Sequence, residues 1–197
     1  MNEVPYRQAR FLQGAHSLAQ MPPDIGREVA FAGRSNTGKS SVINTLVGNR
    51  KLARISKTPG RTRQINFFEL SDSLRLVDLP GYGYARAPES FRRVWGRSIA
   101  GYIQERRSLR GFIVVMDARQ PLTGLDRQMV NWSRAAGRPV HLLLNKSDKL
   151  SGSAAREVLR NMSRDPGLEG TSVQLFSATR RTGVKALHLL LDGWLLK

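Results

Sequence analysis

Cysteine is missing from all 197 residues. Disulfides, thiolate metal sites and cysteine nucleophiles are therefore excluded. Acidic residues are scarce, 15 against 32 Lys+Arg, for a formal charge of +17. That surplus favours a polyanionic partner, nucleic acid ahead of anionic membrane, although a merely soluble basic surface would give the same count. No apolar run approaches the roughly 18 residues of a membrane span. The N-terminus lacks the hydrophobic stretch of a signal peptide, so a cytoplasmic protein without a membrane span is expected. Repeats and low-complexity tracts are absent too. The rest is ordinary for a globular protein: 40% hydrophobic and 24% charged residues, in a length that favours a single domain.

The most informative stretch present is Gly33-Arg34-Ser35-Asn36-Thr37-Gly38-Lys39-Ser40. It fits the phosphate-loop pattern G-x-x-x-x-G-K-[ST] without mismatch. Backbone N–H groups of such a turn point at the α- and β-phosphates, and its glycines let the backbone approach. Lys39 would neutralise β/γ-phosphate oxygens, and the Ser40 hydroxyl would complete the shell of a bound Mg²⁺. The flanks suit the motif. Residues 28–32 read as a short buried strand, and 41–47 as a helix whose positive dipole end lies beneath the phosphates.

Residues 1–27 read as an arm that packs on a single domain spanning 28–197. Further strands are expected at 64–70, 74–78, 111–117, 140–144 and 172–176, with helices at about 89–107, 124–136, 154–162 and 184–196. Only Ser71-Asp72-Ser73 separates the first two of these strands, which makes them an antiparallel hairpin. The alternation predicts a three-layer α/β fold with a mostly parallel sheet, the hairpin supplying one antiparallel edge strand. Residues 49–63 form a basic loop with Arg50, Lys51, Arg54, Lys57, Arg61 and Arg63 and no acid. In the 89–107 helix, Phe91, Val94, Trp95, Ile99, Tyr102 and Ile103 make an apolar stripe. Arg92, Arg93, Arg97, Arg106 and Arg107 fall largely outside it, as a solvated face or a polyanion contact.

Two more motifs sit at strand ends, where ligands bind in open α/β sheets. In Asp78-Leu79-Pro80-Gly81 the carboxylate can hold a Mg²⁺ water and the Gly81 N–H can reach a γ-phosphate. In Asn145-Lys146-Ser147-Asp148 the aspartate can accept two hydrogen bonds from N1–H and the N2 amine of guanine. Adenine presents no donor pair on that edge, which argues against an ATP enzyme. Lys146 can lie along the base, Asn145 can brace the phosphate loop, and Ser177-Ala178 follows the last strand. Together these describe a guanine-nucleotide domain. For a second Mg²⁺ hydroxyl, Thr62 is the better candidate and Thr58, which precedes Pro59, the competitor. Tyr82 stands where a Ras-like enzyme has the glutamine that orients water, so slow intrinsic hydrolysis is expected. Asn36 either helps bind a monovalent cation beside the phosphates or hydrogen-bonds locally, and chemistry alone leaves both open.

Residues 28–41, Ser-Lys-Thr-Pro-Gly-Arg-Thr (56–62), Val-Asp-Leu-Pro-Gly-Tyr-Gly-Tyr (77–84), Asn-Lys-Ser-Asp and Phe176-Ser177-Ala178 closely resemble the EngB family of bacterial GTPases. The resemblance implies a Ras-like P-loop GTPase domain and Mg²⁺-dependent binding of GTP and GDP, with Ser40 and Thr62 on the metal. It also implies nucleotide contacts at Gly60, Arg61, Thr62, Arg63 and Gln64, at 78–81, at 145–148 and at 176–178. Lys39, Thr62, Gly81 and Asn36 are the residues expected to support hydrolysis. Related GTPases that lack the glutamine and carry the loop asparagine use K⁺. A role in assembly of the large ribosomal subunit, and in cell division and septation, is implied too; the charge excess favours docking on ribosomal RNA or a pre-ribosomal particle, and a monomer is expected. The alternative is a division-machinery interaction protein whose surface GTP orders.

Overall fold

The computed structural model describes residues 3–53, 64–83 and 99–197. Most of the basic loop (54–63) and the first part of the 89–107 helix, with Phe91, Val94, Trp95, Arg92, Arg93 and Arg97, lie outside the described residues. One sheet is built from β1 (Arg10–Ala15), β2 (Arg27–Gly33), β3 (Ile65–Ser71), β4 (Leu74–Asp78), β5 (Leu109–Asp117), β6 (Val140–Asn145) and β7 (Ser172–Leu175). Its order is β1-β3-β4-β2-β5-β6-β7. From β4 across to β7 every neighbouring pair is parallel. The helices are α1 (Lys39–Val47), α2 (99–105), α3 (Gly124–Ala135), α4 (Gly152–Ser163) and α5 (Val184–Leu195).

Two-residue periodicity sorts the central strands between two cores. On β5, Phe112, Val114 and Met116 join Ile99, Tyr102, Met129, Val130 and Met162 from α2, α3 and α4. Ile113 and Val115 turn the other way, onto Val42, Ile43 and Leu46 of α1 and Leu187 and Leu191 of α5. Burial on both faces explains why β5 reads as a continuous apolar run. The chain leaves β2 toward one side of the sheet and β5 toward the other, so their carboxyl ends open a crevice at the switch point.

Two features depart from the sequence reading. β3 is the antiparallel strand, but β1 from the arm pairs outside it and takes the edge, Phe11 opposite Phe68. The second departure is Arg106, which is neither a solvated residue nor a polyanion contact. It is buried, donating to Glu28 Oε1 at 2.8 Å and Oε2 at 3.2 Å and to the Pro22 carbonyl at 2.9 Å. Its guanidinium lies 5.5 Å from the Phe67 ring centroid. Glu28, fully buried at the start of β2, also accepts from the Tyr102 hydroxyl at 3.0 Å. A buried carboxylate demands such a partner. Arg107 is exposed, as expected.

Candidate functional site

Helix α1 begins at Lys39, two residues before the expected start. The preceding loop reaches that position through left-handed backbone at Asn36 (φ 68°) and Gly38 (φ 92°). Asparagine tolerates this conformation better than most residues, so Asn36 has a backbone reason for its identity. At Gly38 a Cβ would run into the Asn145 amide. That amide donates to the Thr37 carbonyl at 2.9 Å, and the Thr37 hydroxyl donates to the Arg34 carbonyl at 2.9 Å.

Lys146 ties the third strand end to the loop. Its ammonium donates to the Asn36 carbonyl at 2.7 Å and to Asp117 Oδ2 at 2.9 Å. Asp117 closes β5 and is also gripped by Arg119, at 2.9 and 2.7 Å. Arg119 first, and Lys146 with it, hold the Asp117 carboxyl well below the usual carboxylate range. Ser147 donates to the Phe176 carbonyl through both N–H (3.1 Å) and hydroxyl (2.9 Å). The Ser177 hydroxyl donates to Asp148 Oδ1 at 2.6 Å, which lowers the Asp148 pKa and keeps it an acceptor. Ala178 N–H reaches Asn145 Oδ1 at 3.3 Å. Phe176 and Leu79 themselves sit in the cores, leaving only their backbones to the site.

At the end of β4, buried Asp78 accepts from the Lys39 ammonium. Gly81 lies against Ser35, where a Cβ would stand 3.0 Å from the Ser35 hydroxyl. Residues 33–40, 78–81, 145–148 and 176–178 are thus drawn to one rim of the sheet. Gln64 turns elsewhere, its amide 2.7 Å from His16 Nε2 in the arm. The Arg34 side chain points to α3, its Nε 3.8 Å from Asp126 Oδ2. Gly60, Arg61, Thr62 and Arg63 lie outside the described residues. Sequence reasoning overlooked Asp117 and Asp126. Asp126 left a signal, because Thr123-x-x-Asp126 spells a capping box; Asp117 left only its place at the end of an apolar strand.

This rim offers chemistry of three kinds. A helix N-terminus and a lysine suit phosphate. A hydroxyl and a carboxylate, Ser40 and Asp78, are hard oxygen donors of the kind Mg²⁺ takes beside phosphates. An ionised carboxylate, Asp148, suits a base edge with paired donors. Residues 28–146 match the family described as 50S ribosome-binding GTPase. The chain is 49% identical to a probable GTP-binding protein EngB of Nitrosococcus oceani, over 99% of this chain and 98% of that one. It is 48% identical to its counterpart from Shigella flexneri, over 98% and 93%. The fold is similar to a crystal structure of a probable GTP-binding protein engB, with a TM-score of 0.70 at 23% identity over 85% and 98% of the two chains. It is also similar to Era of Aquifex aeolicus bound to GDP and AlF4⁻, with a TM-score of 0.68 at 21% identity over 85% and 56%. The chain belongs to the EngB family of GTP-binding GTPases.

Proposed function

We propose that this GTPase is a slow, Mg²⁺-dependent switch that acts on the large ribosomal subunit during its assembly and is needed for division and septation. The observation that carries the switch reading is the convergence of Lys39, Asp78 and the Asn36–Lys146 bond on one rim. In this reading 28–197 is one nucleotide-binding domain, carried with its arm as a cytoplasmic monomer. Backbone N–H groups of 33–40 hold the α- and β-phosphates, and 145–148 with 176–178 hold the guanine. Gly60, Arg61, Thr62, Arg63 and Gln64 complete the nucleotide contacts. Ser40 and Thr62 would hold Mg²⁺ through their hydroxyls, and the ion would supply positive charge to the phosphates. Gly81 reports the γ-phosphate. Hydrolysis is slow because Tyr82 replaces a water-orienting glutamine. Asn36, an exposed residue of the loop, contributes its amide to a K⁺ ion.

The net charge of +17 supports ribosomal RNA as partner. Co-sedimentation with large subunits at rising salt, in GTP and in GDP, tests it. Nucleotide-dependent binding that weakens steeply with salt is expected; binding indifferent to nucleotide would sink the ribosomal reading and leave the GTPase intact. For Asn36, turnover in KCl against NaCl should differ in wild type and become equal in Asn36→Gly, which keeps the left-handed backbone and loses the amide. Equal rates in wild type would remove K⁺.

A further inference from the structure

Beyond β4 the chain stays laced to the phosphate loop. Tyr82 N–H donates to the Gly33 carbonyl at 3.3 Å, and Ser35 N–H donates to the Tyr82 carbonyl at 2.9 Å. The parallel pairing of β2 with β4 therefore reaches past both strands. One residue on, Gly83 takes a left-handed φ of 76° and lies so near α3 that a Cβ would stand 3.2 Å from Leu125 Cδ1. Between these contacts the Tyr82 side chain is buried, and its hydroxyl donates to Asp126 Oδ1 at 2.7 Å. Burial, and then the neighbouring Asp126 charge, push the Tyr82 pKa far up, so the hydroxyl remains a donor.

Asp126 is fully buried. Its Oδ2 accepts from Thr123 N–H at 2.9 Å and from the Thr123 hydroxyl at 2.7 Å, capping α3. Arg34 Nε, itself buried and without a hydrogen-bond partner among the described residues, lies 3.8 Å from the same oxygen. A buried carboxylate is costly unless donors and charge surround it. An aspartate that only capped a helix would need neither burial nor these two partners. One charge thus joins the phosphate loop, the residue after Gly81 and α3.

We infer that Asp126 is a positioning residue for GTP recognition, holding Gly81 through Tyr82 so that its N–H stands where a γ-phosphate arrives. The inference rests on reading 33–40 and 78–81 as the phosphate site. GDP makes no use of that N–H, and a contact shifts an equilibrium only by its differential interaction with the two states.

Dissociation constants for GDP and a non-hydrolysable GTP analogue, measured on the full chain, test it in Tyr82→Phe, Asp126→Asn and the double variant. Tyr82→Phe removes one hydroxyl and leaves the α3 cap in place. Affinity for the analogue should fall roughly five- to tenfold, the scale of one hydrogen bond to a charged group, while GDP affinity changes less than about twofold. The double variant should be no worse than the weaker single one, because both break the same tether. An unchanged analogue-to-GDP ratio, or equal losses for both nucleotides, would leave Asp126 a helix cap and overturn the inference. Should Asp126→Asn fail to fold, the Tyr82→Phe ratio decides alone. Wild type that binds neither nucleotide would overturn the phosphate-site reading and the inference together.

Discussion

Asp117 shows how one carboxylate can join two of the motifs at the sheet rim. It holds the Lys146 ammonium at 2.9 Å while that ammonium holds the Asn36 carbonyl, so the phosphate-loop motif and the 145–148 motif share one cation. Lys146 also sits in left-handed backbone (φ 63°), which a lysine adopts only when its surroundings enforce it. Replacing Asp117 by Ala should weaken GDP and GTP alike, roughly tenfold each. Titration of both nucleotides checks this, and a loss confined to GTP would contradict it. His141 makes a second prediction at this scale. It is buried in β6 with Nδ1 2.8 Å from the Ser172 hydroxyl and Nε2 without a hydrogen-bond partner among the described residues. Burial lowers its pKa to about 4. The unfolded chain, with the ordinary value near 6.5, therefore binds this proton more readily than the folded one. Stability from the neutral ring is complete above about pH 6.5 and is lost as pH falls toward about 4, by roughly 3 kcal/mol at most. Urea midpoints of wild type and His141→Gln between pH 7.5 and 4.5 should differ in slope over that window; parallel curves would refute the assignment.

At the level of elements, what could be read from the sequence was what local pattern controls. The apolar run of β5 and the glycine punctuation between β2 and α1 both announce themselves within a dozen residues. Arg106 does not. A charged residue near the end of a helix looks the same whether it meets water or a buried partner, and Glu28, its partner, is 78 residues away. β1 was invisible for a similar reason: Arg10-Phe11-Leu12-Gln13-Gly14-Ala15 has no clean alternation, and its order comes from pairing with β3. Strand ends delivered the site motifs legibly because their spacing is short and fixed, whereas Asp117 and Asp126 act only once distant elements meet. The Glu28–Arg106 pair links β2 to the end of α2, so Arg106→Ala takes from buried Glu28 its two-bond partner and leaves it Tyr102 and, at 3.8 Å, Arg75. A loss of up to about 3 kcal/mol is expected, seen as a fall of roughly 1 M in the urea midpoint. Arg107→Ala, at an exposed neighbour, should stay within about 0.5 kcal/mol; equal effects would show that the pair does not matter.

Over the whole molecule, the arm is stitched into the domain at two levels. Its Pro22, Pro23 and Ile25 carbonyls accept from Arg106 and Arg75, and its strand β1 covers β3. Removing residues 1–24 should bare the N–H and C=O row of β3 beside Phe67 and Phe68, a template for other chains. Concentration-dependent self-association by light scattering is the expected result, and a stable monomer would speak against a guarding role. The same pairing has a consequence for how the chain is made. Arg10 meets Glu69 across 59 residues of sequence, so β1, made before β3, waits for it before it has a partner. Until β3 follows, the backbone N–H and C=O row of β1 has no strand to meet, and this edge of the sheet is sealed only when the later segment reaches back to the earlier one.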